Sequence, residues 1–188
     1  MDRDLRRSEI VRSAAGDDAT VMVDCNQQWS LPRALAFGER SRDLGLHWIE
    51  EPIHPDDILG HAALAKAYAP NTRVAAGEHL PNRIIFKNYF QSQALGFCQA
   101  DAVRVAGVSE FLAISLMARN RGIPVVPHVG DMGQIHQHFV LFNHIALDHE
   151  AMLLESIPHL QKHFVHPCKV EGGVYHTPQE PGMSADLK

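Results

Sequence analysis

Six short apolar runs punctuate the chain, and each closes on an ionisable residue: TVMVD at 20–24, LHWIE at 46–50, RVAAGE at 73–78, GFCQAD at 96–101, IPVVPH at 123–128 and AMLLE at 151–155. The closing residues are Asp24, Glu50, Glu78, Asp101, His128 and Glu155, and they recur every 23 to 28 residues. Runs of four to six residues that do not alternate read as parallel strands buried on both faces. The spacing leaves room for one strand, one helix and two loops per repeat. That pattern predicts a parallel α/β fold, and a partial (β/α) TIM-like barrel of about six strands in particular.

The stretches between the runs have helical character. Residues 31–44 follow Ser30, an expected N-cap, with Pro32 in the first turn. Residues 55–69 open with Asp56 and Asp57, which suit a helix N-terminus. Further helices are expected at 3–14, 81–95 and 109–121, the last capped by Ser109. Residues 156–188 are richer in Pro and Gly and should pack back in turns and short extended pieces. The expected organisation is thus a partial barrel over 1–155 and a tail over 156–188.

Composition excludes several function classes. The chain has 188 residues, 45% hydrophobic and 21% charged, with a net charge of −5. A weakly acidic chain with no basic run is not built to bind nucleic acid or an anionic membrane by charge. No apolar run reaches the length of a membrane span. Three cysteines, Cys25, Cys98 and Cys168, lack CxxC spacing and suggest a reducing, cytoplasmic setting.

In a (β/α) barrel the C-terminal strand ends converge on one mouth, where catalytic groups sit. Adjacent strands stand about 4.8 Å apart, so neighbouring ends can reach a common point. Asp24, Glu50 and Glu78 are three consecutive carboxylates. Together they would repel unless a cation compensated, and oxygen-only donors suit Mg²⁺ before Zn²⁺. Asp101 and His128 form the next pair. A carboxylate that accepts one ring N–H fixes the imidazole tautomer. Glu155 would close the ring of groups opposite the first three.

Other features have plainer readings. Glu51, beside Glu50, is expected to cap or to form an ion pair rather than bind metal. His136, His138, His144 and His149 are expected on a helix surface and in packing, since HQH does not set two ligands at i, i+4. Phe111, Leu112, Ile114 and Leu116 read as core, and Cys25 as a small buried hydrophobe.

These residues also carry a resemblance. VDCNQQW (23–29), WIEEP (48–52), GEH (77–79), QADAVRVAGV (99–108) and PVVPHVG (124–130) are similar to the barrel domain of the enolase superfamily. More narrowly, they resemble the mandelate-racemase-like acid-sugar dehydratases of the L-fuconate and L-galactonate dehydratase type. HPDDILGHAAL (54–64), NRIIFKN (82–88) and KHFVHP, EGGVY and PQEPG in the tail fit the same subgroup.

The resemblance implies Asp24, Glu50 and Glu78 as Mg²⁺ ligands, Asn26 beside the metal on the substrate carboxylate, and His79 facing substrate. It implies Asp101 and His128 as the dyad, with His128 as general acid, and Glu155 hydrogen-bonded to the enolate oxygen. The implied reaction is Mg²⁺-dependent dehydration of a sugar acid to a 2-keto-3-deoxy sugar acid through an enediolate. The implied partner is the small sugar acid itself, and a homo-oligomer fits the reading.

Two departures from the family bear on this. The family's lysine base, in a KxKVG-like segment, would precede the helix that begins here at DLRR. The expectation is therefore strands three to eight only, with the capping domain and first two strands absent and weak or no turnover by this chain alone. The loop at 128–138 differs from the family's more glycine-rich loop, so the distal end of the substrate would be read differently. A racemase or epimerase of hydroxy acids, and an inactive fragment with a binding role, are the alternative readings.

Overall fold

The computed structural model of the chain describes residues 2–129, 134–149 and 153–188. They group into two compact units, Met1–Ala76 with Lys87–Phe97, and Gly77–Phe86 with Cys98–Lys188.

In the first unit α1 (Asp2–Ala15), β1 (Val23–Asp24), α2 (Leu31–Arg40), β2 (Trp48–Glu50), α3 (Ile58–Tyr68) and β3 (Arg73–Ala76) alternate as the sequence pattern predicts. Helix α4 (Arg83–Gln91) and strand β4 (Phe97–Cys98) contribute residues to both units. The four strands form one sheet in chain order, β1-β2-β3-β4. β1 pairs with β2 and β2 with β3 in parallel, with Val23 opposite Ile49, Asp24 opposite Glu50, and Glu50 opposite Ala75. This register places two acidic strand ends side by side.

Packing explains why these segments are regular. Phe37, Ile49, Leu64, Val74 and Tyr89 are fully buried in the first unit. Helices α2 and α3 approach closely: a Cβ on Gly38 would lie 2.1 Å from the Tyr68 ring. The Tyr68 hydroxyl donates to the Ala34 carbonyl at 2.9 Å, satisfying a buried polar tip. Asp57 caps α3 by accepting from Gly60 N–H at 2.8 Å.

The second unit holds α5 (Val108–Arg119), α6 (His136–Leu147), α7 (Pro158–Gln161) and the antiparallel hairpin β5 (Lys169–Glu171) and β6 (Val174–His176). Gly172 and Gly173 both have positive φ, 57° and 78°, which a two-residue hairpin turn needs. Gln134 staples the tail to this unit. Its amide donates to the carbonyls of His166, at 2.7 Å, and Ser184, and its oxygen accepts from Cys168 N–H at 3.0 Å. The tail thus holds the short helix α7 and the β5–β6 hairpin besides its turns.

Several expectations change in detail. The fifth apolar run gives an isolated parallel bridge, Val125 with Cys98, rather than a strand. Pro124 and Pro127 flank it and offer no amide hydrogens to a ladder. In the sixth run, 151 and 152 lie outside the described residues and 153–155 are not in a strand. Ser30 occupies the N-cap of α2 without a side-chain hydrogen bond. Helix α5 is capped at Gly107, so Ser109 is already inside it. Phe111 and Ile114 are core, whereas Leu116 is exposed on the far face of α5. No helix among the described residues is long and apolar enough to cross a membrane.

Candidate active site

The ends of β1 and β2 carry the first group of predicted residues. Asp24 is exposed and Glu50 half-buried, on register partners of parallel strands. Asp24 accepts from the Asn26 backbone N–H at 2.8 Å and from the Asn26 side-chain amide at 2.5 Å. Glu50 Oε2 accepts from the Trp48 indole N–H at 3.1 Å. Glu51 is buried and accepts from the Gln27 side-chain amide at 3.0 Å. Asn26, Gln27 and Glu51 all have positive φ, between 39° and 63°. Non-glycine left-handed backbone is costly, and here it gathers at two adjacent strand ends. Cys25, between them, is buried, and burial pushes its thiol well above the usual range.

These donors fit a hard divalent cation. Asp24 and Glu50 offer oxygen only, they are neighbours by strand register, and each is oriented by a neutral hydrogen-bond donor.

The second unit holds the other group. Nδ1 of His128 lies 2.8 Å from Asp101 Oδ2, and Nε2 lies 3.1 Å from Glu78 Oε2. Asp101 and His128 are therefore brought together, and the imidazole bridges two carboxylates. Glu78 Oε1 is shared by Arg104, at 3.1 Å, and His79 Nδ1, at 3.3 Å. Asp101 is fully buried, and its Oδ1 accepts from Val103 N–H at 2.8 Å. Burial alone would lower the His128 pKa. The bond to Asp101 and the charges of Glu78 and Asp101 outweigh it, against Arg104, and hold the imidazole above its ordinary value. Burial pushes the Asp101 carboxyl up. The hydrogen bonds from His128 Nδ1–H and the Val103 amide oppose that and hold the carboxyl below the usual range.

Glu155 is exposed, beside a small pocket that Val129, Gln134, Phe164 and Tyr175 also line. No hydrogen bond joins it to the dyad among the described residues. His79 is exposed on the Glu78 side. Residues 130–133 of the 128–138 loop lie outside the described residues.

The sequence reading passed over Arg104 and did not foresee the contacts that His136 makes. Arg104, three positions after Asp101, reaches Glu78 through the turn that follows β4. His136 is fully buried, packed in the core rather than on the helix surface, with Nε2 2.8 Å from Ala102 N and 3.2 Å from Asp101 Oδ1. The signal for Arg104 was a lone cation among clustered acids. For His136 it was an imidazole inside an apolar helix.

The whole chain, residues 1–188, matches the family described as enolase C-terminal domain-like. The chain belongs to this family. It is 40% identical over 190 residues to mitochondrial enolase superfamily member 1 of Homo sapiens, covering 98% of this chain and 43% of that protein. The crystal structure of that human protein matches with a TM-score of 0.93 at 38% identity, over 100% of this chain and 44% of the other. L-galactonate dehydratase of Hypocrea jecorina is 39% identical over 193 residues, 100% of this chain and 43% of that enzyme. L-talarate/galactarate dehydratase from Salmonella typhimurium LT2, liganded with Mg and L-lyxarohydroxamate, matches with a TM-score of 0.87 at 33% identity, over 99% of this chain and 45% of that one. The chain spans less than half the length of these relatives. The enolase C-terminal fold is the α/β barrel architecture that the strand-end pattern predicted.

Proposed function

We propose that the protein is a Mg²⁺-dependent acid-sugar dehydratase. It converts a six-carbon aldonate such as L-galactonate or L-fuconate to a 2-keto-3-deoxy sugar acid. The observation that carries this reading is the imidazole of His128, bonded to buried Asp101 through Nδ1 and presenting Nε2 to a carboxylate. Its support among relatives is the named dehydratases that match this chain along its length.

The residues divide the work. Asp101 fixes the ring of His128 by accepting Nδ1–H, so the mobile proton sits on Nε2. An imidazole held above its ordinary pKa keeps that proton to higher pH than a free imidazole does and can give it to a departing 3-hydroxyl. Asp24, Glu50 and Glu78 are the proposed Mg²⁺ ligands. When bound, the ion supplies Lewis-acid stabilisation for the negative charge that develops on the substrate carboxylate. Asn26 and His79 are assigned to the substrate, and Glu155 to hydrogen bonding the enolate oxygen.

The test is product identity. The protein as its gene encodes it is incubated with Mg²⁺ and each aldonate, and the product is identified by proton NMR. A 2-keto-3-deoxy acid from either substrate is expected. A product that keeps its 3-hydroxyl would point to racemisation or epimerisation, and no product from either would reject the assignment.

A further inference from the structure

The turn that follows β4 carries Asp101, and its amide hydrogens can be followed one by one. Val103 N–H goes to Asp101 Oδ1 at 2.8 Å. Arg104 and Val105 N–H go to the Asp101 carbonyl at 3.0 and 2.9 Å, and Gly107 N–H closes on Ala102 O at 2.9 Å. The acceptor for Ala102 N–H comes from outside the turn. It is Nε2 of His136, 34 residues away on α6, at 2.8 Å. Buried amides need such partners, and here only a side chain from another element supplies one.

His136 is held tightly for this task. It has no exposed surface, and it packs against Phe111 at 5.8 Å and edge-on to Phe139 at 6.0 Å between ring centroids. Nε2 also lies 3.2 Å from Asp101 Oδ1. One ring nitrogen cannot accept from an amide and donate to a carboxylate at once. The Ala102 hydrogen points at Nε2, so the ring tautomer assigned from this geometry has its proton on Nδ1. His136 then gives Asp101 no N–H, so Oδ1 is served by the Val103 amide and Oδ2 by His128.

We propose that His136 is a positioning residue for the Asp101–His128 pair: its Nε2 lone pair holds the Ala102 amide, fixes the turn that bears Asp101, and so keeps Oδ2 on His128 Nδ1. The proposal rests on the dehydratase reading above for its consequence in catalysis, but its geometry stands apart from it.

The experiment is NMR of the full chain labelled with ¹⁵N, in wild type and in His136→Gln and His136→Leu. Gln can place an amide oxygen where Nε2 sits, whereas Leu cannot. In the wild type, His136 is expected to show a protonated Nδ1 and an unprotonated Nε2. In His136→Leu, the Ala102 amide should lose about tenfold in exchange protection, and the downfield Nδ1–H signal of His128 should broaden into water. In His136→Gln both should return to near wild type. Leu147→Ala, on the same helix, should lower stability without moving the His128 signal, which a merely structural role for His136 would also predict of His136→Leu. A proton found on His136 Nε2, or an unchanged His128 signal in a folded His136→Leu, would overturn the proposal. If the Leu variant does not fold, the wild-type tautomer and the Gln variant decide. Failure of the dehydratase reading would show instead as absent product with these signals as expected.

Discussion

His128 donates Nδ1–H to Oδ2 of Asp101 across 2.8 Å, and the acceptor has no exposure to solvent. A buried, ionised carboxylate in that place locks both the ring plane and the tautomer. Asp101→Asn keeps the shape and removes the charge, so the imidazole loses its preferred proton arrangement. We expect dehydratase kcat to fall by about 10² to 10⁴, the range that a positioned acid contributes, with KM nearly unchanged. Steady-state kinetics alongside circular dichroism would separate this from unfolding.

The same pair predicts how stability depends on pH. His128 is held above its ordinary 6.5, so its contribution is fully present below that value and is lost as pH rises through the folded pKa. Asp101 is held below its ordinary 3.8, so its contribution is present above that value and is lost as pH falls through the folded pKa. The stabilising window lies between the two unfolded values. In urea unfolding without added divalent cation, the difference between wild type and His128→Gln should be largest at about pH 5 and should shrink as pH rises through the folded pKa of His128. A difference that grows with pH would contradict the assignment.

The donor set at the ends of β1 and β2 predicts a metal affinity that Asp24 and Glu50 carry in part. Asp24→Asn with Glu50→Gln removes two oxygen charges on register partners. Mg²⁺ affinity measured by titration calorimetry should fall by about a hundredfold or more, as for loss of ligands. His136→Gln should leave that affinity unchanged.

Gly77 stands immediately before Glu78, and a Cβ there would lie 2.5 Å from the Gln99 carbonyl carbon and 2.7 Å from its oxygen. Backbone cannot swing aside as a side chain can. Gly77→Ala should destabilise by about 1–3 kcal/mol, the ordinary cost of overpacking, and denaturant unfolding would read it. A variant as stable as wild type would mean the two segments are free to separate.

What the sequence revealed, and what it hid, follows from the range of the forces. The apolar runs closing on Asp24 and Glu50 were legible because a buried parallel strand must be apolar and its end must be wet, and register then set the two acids side by side. Asp101 and His128 were legible by the same repeat. Arg104 and His136 were hidden because their partners come from tertiary placement: a turn aims Arg104 at Glu78, and α6 brings His136 to the Ala102 amide. The cap at Ser30 was legible as a position but not as a bond, since its hydroxyl makes none to the helix. The strand at 123–128 shrank to a bridge because proline removes the amides a ladder requires.

The most direct test compares rates of keto-acid formation from L-galactonate and L-fuconate, with Mg²⁺, in the wild-type protein as its gene encodes it and in His128→Gln. The account predicts a 2-keto-3-deoxy acid from at least one substrate and a loss of about a hundredfold or more in the variant. Equal rates in the two proteins, or keto acid formed as fast without Mg²⁺, would contradict it.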